Sequence, residues 1–448
     1  MSEFKILAKN FLDDSKTHFT YNTYDNSLKD SQDNYILEPL NRDKVTNSKY
    51  GHNYDWNNKL SPAYKSKDIR RLQISLGLSC NYSCSYCSQR LVPNVDEATL
   101  KLVPAFLNNL PNWFKGGTDG LGSEVKIEFW GGEPLVYWKT LKPLAEGIKT
   151  KYPNAKFLMI SNCSLLDDEK IDWLDKLNFH IGFSHDGKSY SLTRGENPLD
   201  NKEKREAIVK LYNRLAPKGK ISINPVLNKF NKSRFEIIDY LKNLFNINTL
   251  VLGEGKLLDV YDDKSLELSI TSQEEKYQYR INSLKEYILN KSDKFYLWQE
   301  YQNNFLKVFE RSDNQNYLKQ NSVIDNPHYL CVTLRGNVLT SQNVSEISKN
   351  SFGQSHVAGN VNDFDNIKVK TISTWKNKKN CKECPVVNLC DVSSFYGEGK
   401  YFEQTCDNVF NDHVVGLSIS IFHLTGFIPY FIEGNFREDR KNIFGLNN

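Results

Sequence analysis

The chain has 448 residues, of which 25% are charged, and a net charge of only +4. That length allows two or three domains with ample core. A charge excess so small and scattered does not indicate nucleic-acid binding by electrostatics alone. The N-terminal residues hold no apolar run of signal-peptide length. Val414 to Ile432 is the only stretch apolar enough to consider as a membrane span; it is broken by Gly416, His423, Gly426 and Pro429 and reads as a buried helix and strand. A cytoplasmic protein with no membrane partner is expected. In that compartment nine cysteines argue against disulfides. Three crowd into residues 80–87 and four lie between 381 and 406, which suggests metal ligation. Cys163 and Cys331 stand apart, and Cys163 reads as a buried thiol.

In chain order, residues 1–69 are rich in Asn, Asp, Lys and Tyr, and an irregular cap or a partly ordered extension of unassigned function is expected there. From about residue 70 strands and helices alternate. Leu72, Ile74, Leu76 and Leu78 alternate toward Cys80, and Val125, Ile127 and Phe129 run into Gly131. Further strands are expected at Phe157 to Ser161, Phe179 to Phe183, Ile221 to Val226 and Leu250 to Gly253. Leu100, Val103, Phe106 and Leu107 share one helix face, and Ser233 with Glu236 caps the helix of Phe235, Ile238 and Leu241. Six such units predict an α/β fold over 70–260, a parallel sheet with outer helices whose active residues gather at the C-terminal strand ends. Two linking helices follow within 261–320, the first capped by Ser272 and Glu275. A C-terminal region, 321–448, carries the second cysteine group.

Cys80, Cys84 and Cys87 put three thiols on one short loop after a strand. Structural zinc wants four ligands, and no fourth Cys or His lies nearby. Three thiolates suit a 4Fe–4S cluster with one iron left open for a small molecule. This CxxxCxxC string, with Tyr86 before its last cysteine, resembles the hallmark of the radical S-adenosylmethionine superfamily. The resemblance implies a partial (β/α)6 barrel in which that cluster cleaves S-adenosylmethionine to a 5′-deoxyadenosyl radical. An external reductant of flavodoxin or ferredoxin type is implied as well.

Further segments match at the expected strand ends. Gly131-Gly132-Glu133 is similar to the family's GGE motif, where glycines let the backbone approach the cofactor's methionyl amine. Ser161-Asn162-Cys163-Ser164-Leu165-Leu166 resembles its TNG-x-LL strand end, with Cys163 in place of Gly, and Asn162 offers a donor and an acceptor to a ribose. Ser184-His185-Asp186-Gly187 with Arg194 resembles its S-x-DG…R segment, so Ser184 and Arg194 are candidates for the cofactor's ribose or carboxylate. Asp186-Gly187 alone is as well explained by a turn, and His185 reads as a satisfied local histidine.

Cys381, Cys384, Cys390 and Cys406 supply four thiols, and by residue type alone a structural zinc remains open. Downstream of such a barrel, C-x2-C-x5-C resembles the SPASM extension, a twitch-like domain that binds auxiliary 4Fe–4S clusters. Ser341 and Ser394 stand where that family has cysteines of a second auxiliary cluster. One auxiliary cluster is therefore expected, on Cys381, Cys384, Cys390 and Cys406, with Cys331 a reserve ligand or a free thiol. Relatives that oxidise a sulfatase residue place an Asp where this chain has Gln342, which argues against that role. The implied substrate is a ribosomally made peptide that is crosslinked or oxidised. The alternatives are rearrangement of a small molecule or modified nucleotide, and a non-catalytic zinc-binding adaptor. No acid–base residue is identifiable.

Overall fold

The computed structural model describes residues 2–39, 46–47, 52–53, 65–93, 97–116, 125–253, 255–289, 328–350, 353–367, 378, 380–390 and 397–446. An antiparallel meander comes first: β1 (Glu3–Lys9), β2 (Lys16–Asn22), β3 (Ser27–Lys29) and β4 (Tyr35–Leu37). The two-residue strands β5 (Thr46–Asn47) and β6 (His52–Asn53) pair with each other. The main sheet then begins with parallel β7 (Arg71–Ser75), β8 (Lys126–Trp130), β9 (Lys156–Ser161), β10 (His180–Phe183) and β11 (Ile221–Ile223). Each neighbours the next in chain order, and helices α1 (Val103–Trp113), α2 (Trp138–Lys151), α3 (Asp168–Lys176) and a helix over Lys202–Leu215 cover the sheet. Leu72, Ile74, Ile127, Phe129, Phe157, Met159, Ile181 and Phe183 build the core between the layers.

Two departures from the expected barrel have local causes. The sixth strand, expected at 250–253, is reduced to one parallel bridge between Ile223 and Leu252. Gly253 closes it tightly: a Cβ there would collide with the Asn224 side chain. On the other edge, a strand from the cysteine-rich half, Tyr329–Thr333, pairs in parallel with β7 and leads into a hairpin of Asn337–Leu339 and Val357–Asn360. The barrel sheet thus runs without a break into the C-terminal region. The second expected linking helix falls within 290–327, outside the described residues; the first is Gln273–Leu289.

Within the extension expected at the N-terminus as irregular or partly ordered, residues 3–37 form an ordered sheet. β1 is flanked by β2 and by the strand Ile428–Glu433 near the other end of the chain. Phe4, Ile6, Ala8, Phe19 and Tyr21 alternate inward, and pack with Val414, Leu417, Ile421 and Ile432 in a second core. The long helix Gly399–Thr425 crosses this core and ends at Gly426, whose φ of 79° suits a left-handed cap. Its burial and the strand after it bear out the reading of 414–432. No helix among the described residues is long and apolar enough to cross a membrane.

Candidate active site

The C-terminal ends of the barrel strands open on a cavity of about 450 Å³, within the range of roughly 300–1,000 Å³ of small-molecule sites. Its lining includes Cys80, Cys84, Cys87, Tyr86, Gly131, Gly132, Glu133, Asn162, Ser184 and Arg194. Every residue expected to hold the cluster or the cofactor in the barrel half of the sequence is therefore brought to one wall or another of a single cavity.

The cysteine loop follows β7 and is braced from below. Tyr137 Oη accepts from the Ser79 amide at 2.7 Å and donates to Glu97, whose other oxygen accepts from Ser79 Oγ at 2.9 Å. Gly132 lies against this loop: an added Cβ would sit 2.5 Å from the Leu78 carbonyl oxygen and closer still to that of Ser79. Backbone crowding by the cysteine loop is thus one reason for glycine here. Glu133 is buried, and its carboxylate ties its own turn to the end of β9, accepting from the Leu135 amide (3.0 Å), Ser161 Oγ (2.8 Å) and the Asn162 amide (2.7 Å). Burial raises its carboxyl above the usual value against these donors. Asn162 hydrogen-bonds through Nδ2 to Asn81 at 3.0 Å, and its Oδ1 accepts from Ser164. Cys163 has φ 58° and is buried, so this cysteine adopts the left-handed backbone that glycine takes without strain.

Asp186 is the residue whose role sequence reasoning missed. Fully buried, it accepts from Tyr86 Oη (2.7 Å), Thr193 Oγ1 (3.0 Å), Arg194 Nε (2.9 Å) and Nη2 (3.1 Å), and the Val226 amide (2.9 Å). Burial pushes its carboxyl up, but Arg194 and these donors outweigh burial and hold it below the usual value. Arg194 is therefore engaged with Asp186 and packs over the Tyr86 ring at 5.3 Å. The Asp-Gly dipeptide gave a turn signal only; the partners lie in other segments. His185 is satisfied as expected, between Asn197 Oδ1 and the Gly187 amide, both at 3.0 Å, and burial lowers its pKa to about 4.

Gln342 and Asn343, from the C-terminal half, also line the cavity. Gln342 Oε1 accepts from Gln73 at 3.4 Å and Asn343 Oδ1 from Gln89 at 3.0 Å. Asp259 is the exposed carboxylate of this wall, with Tyr261 Oη donating at 3.3 Å.

As protonated thiols the cysteines are poor ligands: burial raises Cys80 and Cys84 to about 11. Cys84 feels the charges of both Cys80 and Cys87, so the three sulfurs face a common space. Metal binding takes the place of those protons. Among the described residues no three His, Cys, Asp or Glu side chains converge on a single ion. The second group has Cys381 within the electrostatic reach of Cys406 and Cys384, while Cys390 packs against Phe402 and Val409. Arg440 Nη2 donates to Cys406 Sγ at 3.3 Å. Cys331 lies apart among Leu339, Val344 and Val357, its Sγ 3.8 Å from the Ser341 carbonyl oxygen. Ser394 is outside the described residues.

No family model matches the chain. It is 23% identical over 374 residues to the radical SAM cyclopropyl synthase TigE of Paramaledivibacter caminithermalis, covering 76% of this chain and 72% of the relative. It is also 25% identical over 254 residues to an S-adenosylmethionine-dependent nucleotide dehydratase of Pseudoalteromonas ulvae, covering 52% of this chain and 78% of that protein. Both relatives are named as S-adenosylmethionine enzymes, and this chain is similar to them. Among solved structures, anSMEcpe with bound AdoMet and Cp18Cys peptide shares its fold, with a TM-score of 0.52 at 17% identity over 80% of this chain and 99% of that one. A radical SAM enzyme uses S-adenosylmethionine and a 4Fe–4S cluster, and the cavity wall carries the cysteine string that defines the superfamily.

Proposed function

We propose that this radical SAM enzyme modifies a peptide, with Cys80, Cys84 and Cys87 holding the cluster and the strand-end residues holding the cofactor. The observation that carries the reading is the convergence of the cysteine loop, the Gly131-Gly132 turn, Asn162, Ser184 and Arg194 on one cavity. When bound, the cluster supplies the electron that cleaves S-adenosylmethionine to a 5′-deoxyadenosyl radical. The chain's own residues position and enclose. Glu133 locks the glycine turn to the end of β9, and Asp186 fixes Tyr86 and Arg194 beside the cysteine loop. Trp130, Ile160, Val226 and Leu258 supply apolar wall that keeps water from a reactive radical.

A second group on Cys381, Cys384, Cys390 and Cys406 fits these buried and half-buried thiols and the guanidinium beside them. One auxiliary 4Fe–4S cluster is our reading, since Ser341 and Ser394 replace two thiols and Cys331 packs in an apolar pocket. A peptide substrate is supported by the fold shared with anSMEcpe, whose structure holds a peptide. The neutral Gln342 on the wall disfavours a sulfatase-type oxidation, which needs a carboxylate there. Nucleotide chemistry is the second reading, favoured by the match to the nucleotide dehydratase over half the chain.

The test is anaerobic incubation of reconstituted protein with dithionite and S-adenosylmethionine. Wild type should form 5′-deoxyadenosine and Cys84→Ala none; equal formation would refute the site. Adding synthetic peptides encoded by short neighbouring reading frames, or nucleoside triphosphates, separates the substrate readings: a mass change confined to the nucleotide overturns the peptide reading.

A further inference from the structure

The second cysteine group sits on a concentration of buried positive charge. The turn after the strand Ile428–Glu433 folds Arg440 back under the long helix, leaving it only 5% exposed. Its Nη2 reaches Cys406 Sγ at 3.3 Å, and the guanidinium packs over the Phe410 ring at 4.7 Å. Arg440 also pairs with Asp407, the residue next to Cys406. That carboxylate is shared with Lys276 at 3.0 Å and Arg437 at 2.8 Å. Arg437 takes a second carboxylate, Asp439, at 2.6 Å. Arg280, 1% exposed, also packs over the Phe410 ring, at 5.4 Å, and hydrogen-bonds to Asn411 and the Ile443 carbonyl. Four cations (Lys276, Arg280, Arg437, Arg440) thus face two carboxylates (Asp407, Asp439), a formal excess of two positive charges.

Buried charge is retained only when it is compensated. Beyond Asp407, the group in direct contact with Arg440 that remains to compensate it is the sulfur of Cys406. A thiolate-bound group is anionic. On gaining an electron it becomes more negative by one charge, so a neighbouring cation stabilises its reduced form more than its oxidised form. Charge and hydrogen bonds to the sulfurs are the protein's means of setting such a potential.

We infer that Arg440 is a positioning residue that raises the reduction potential of the auxiliary cluster through its contact with Cys406, making that cluster an electron acceptor. This rests on the auxiliary-cluster reading above. The electron comes from outside in the test: one electron from titanium citrate or dithionite reduces the cluster, with no bond made or broken.

The experiment is a redox titration, followed by electron paramagnetic resonance, of the anaerobically reconstituted full chain. Iron content is counted first, and the cluster on Cys80, Cys84 and Cys87 serves as the internal reference. R440Q should favour the oxidised auxiliary cluster at least tenfold, a fall of about 59 mV for one electron, with the reference unmoved. R440K, which keeps the charge, should recover most of that shift. If R440Q fails to hold its auxiliary iron, D407N is titrated instead: removing the carboxylate leaves the cations in greater excess and should raise the midpoint. An unchanged midpoint in an iron-replete R440Q or D407N overturns the inference. Wild type that carries zinc in place of the second cluster overturns the reading beneath it, and the metal count tells the two failures apart.

Discussion

Asp186→Asn tests how the barrel holds its cofactor-facing residues. Five donor groups converge on the carboxylate, two of them from Arg194, and both partners are almost wholly buried. Asparagine keeps one acceptor oxygen and turns an NH2 toward groups that are themselves donors, whichever way the amide lies. Arg194 would also lose its counter-ion. Breaking a buried pair by removing one partner costs about 3–5 kcal/mol, so the substitution should open the segment 184–227 locally rather than unfold the chain. Hydrogen exchange read by mass spectrometry should show faster exchange there and little change in the meander β1–β4. Affinity for S-adenosylmethionine should fall with it, because Tyr86 and Arg194 lose their common anchor. The pH dependence has a definite sign. Arg194 stays protonated, and the folded Asp186 carboxyl lies below its unfolded value. The pair's contribution is therefore complete above roughly pH 4, near the unfolded carboxylate value, and is lost as pH falls through the folded value. Wild type should lose protection of 184–227 in acid, and D186N should lack that step. Wild-type exchange and affinity in D186N would refute the argument.

Two further substitutions probe the cysteine loops. Gly132→Ala forces a methyl against the carbonyl oxygens of Leu78 and Ser79, an overpacking worth about 1–3 kcal/mol; reconstituted iron on the first cluster should fall along with cofactor affinity, and normal iron loading would count against it. Cys331→Ala should leave iron content and both cluster spectra unchanged, since its thiol packs against Leu339, Val344 and Val357; a loss of about four irons would make Cys331 a ligand.

Much of the barrel was readable because its cues are local. The alternation at Leu72 and Ile74 and at Ile127 and Phe129 marks strands, and Ser233 caps its helix as expected, accepting from the Glu236 amide. The convergence of the candidate residues was readable for the same reason: motif strings end on strand ends, and the sheet brings those ends together. What escaped notice depends on distant partners. Asp186 becomes a hub only when Tyr86 and Val226 arrive from other segments. Gln342 and Asn343 come to the wall because Tyr329–Thr333 adds to the edge of the barrel sheet. The meander looked irregular because its inward residues, such as Phe19 and Tyr21, alternate with Thr, His and Asn, and it finds its apolar partner only in Val414 to Ile432.

That last pairing orders events in time. Lys5 sits opposite Glu433, so one edge of β1 is covered only by a segment far along the chain. Contacts so distant in sequence form slowly. The helix bearing Cys406 and the turn bearing Arg440 belong to the same late-closing unit. The second cysteine group thus becomes enclosed only when those contacts between distant segments form.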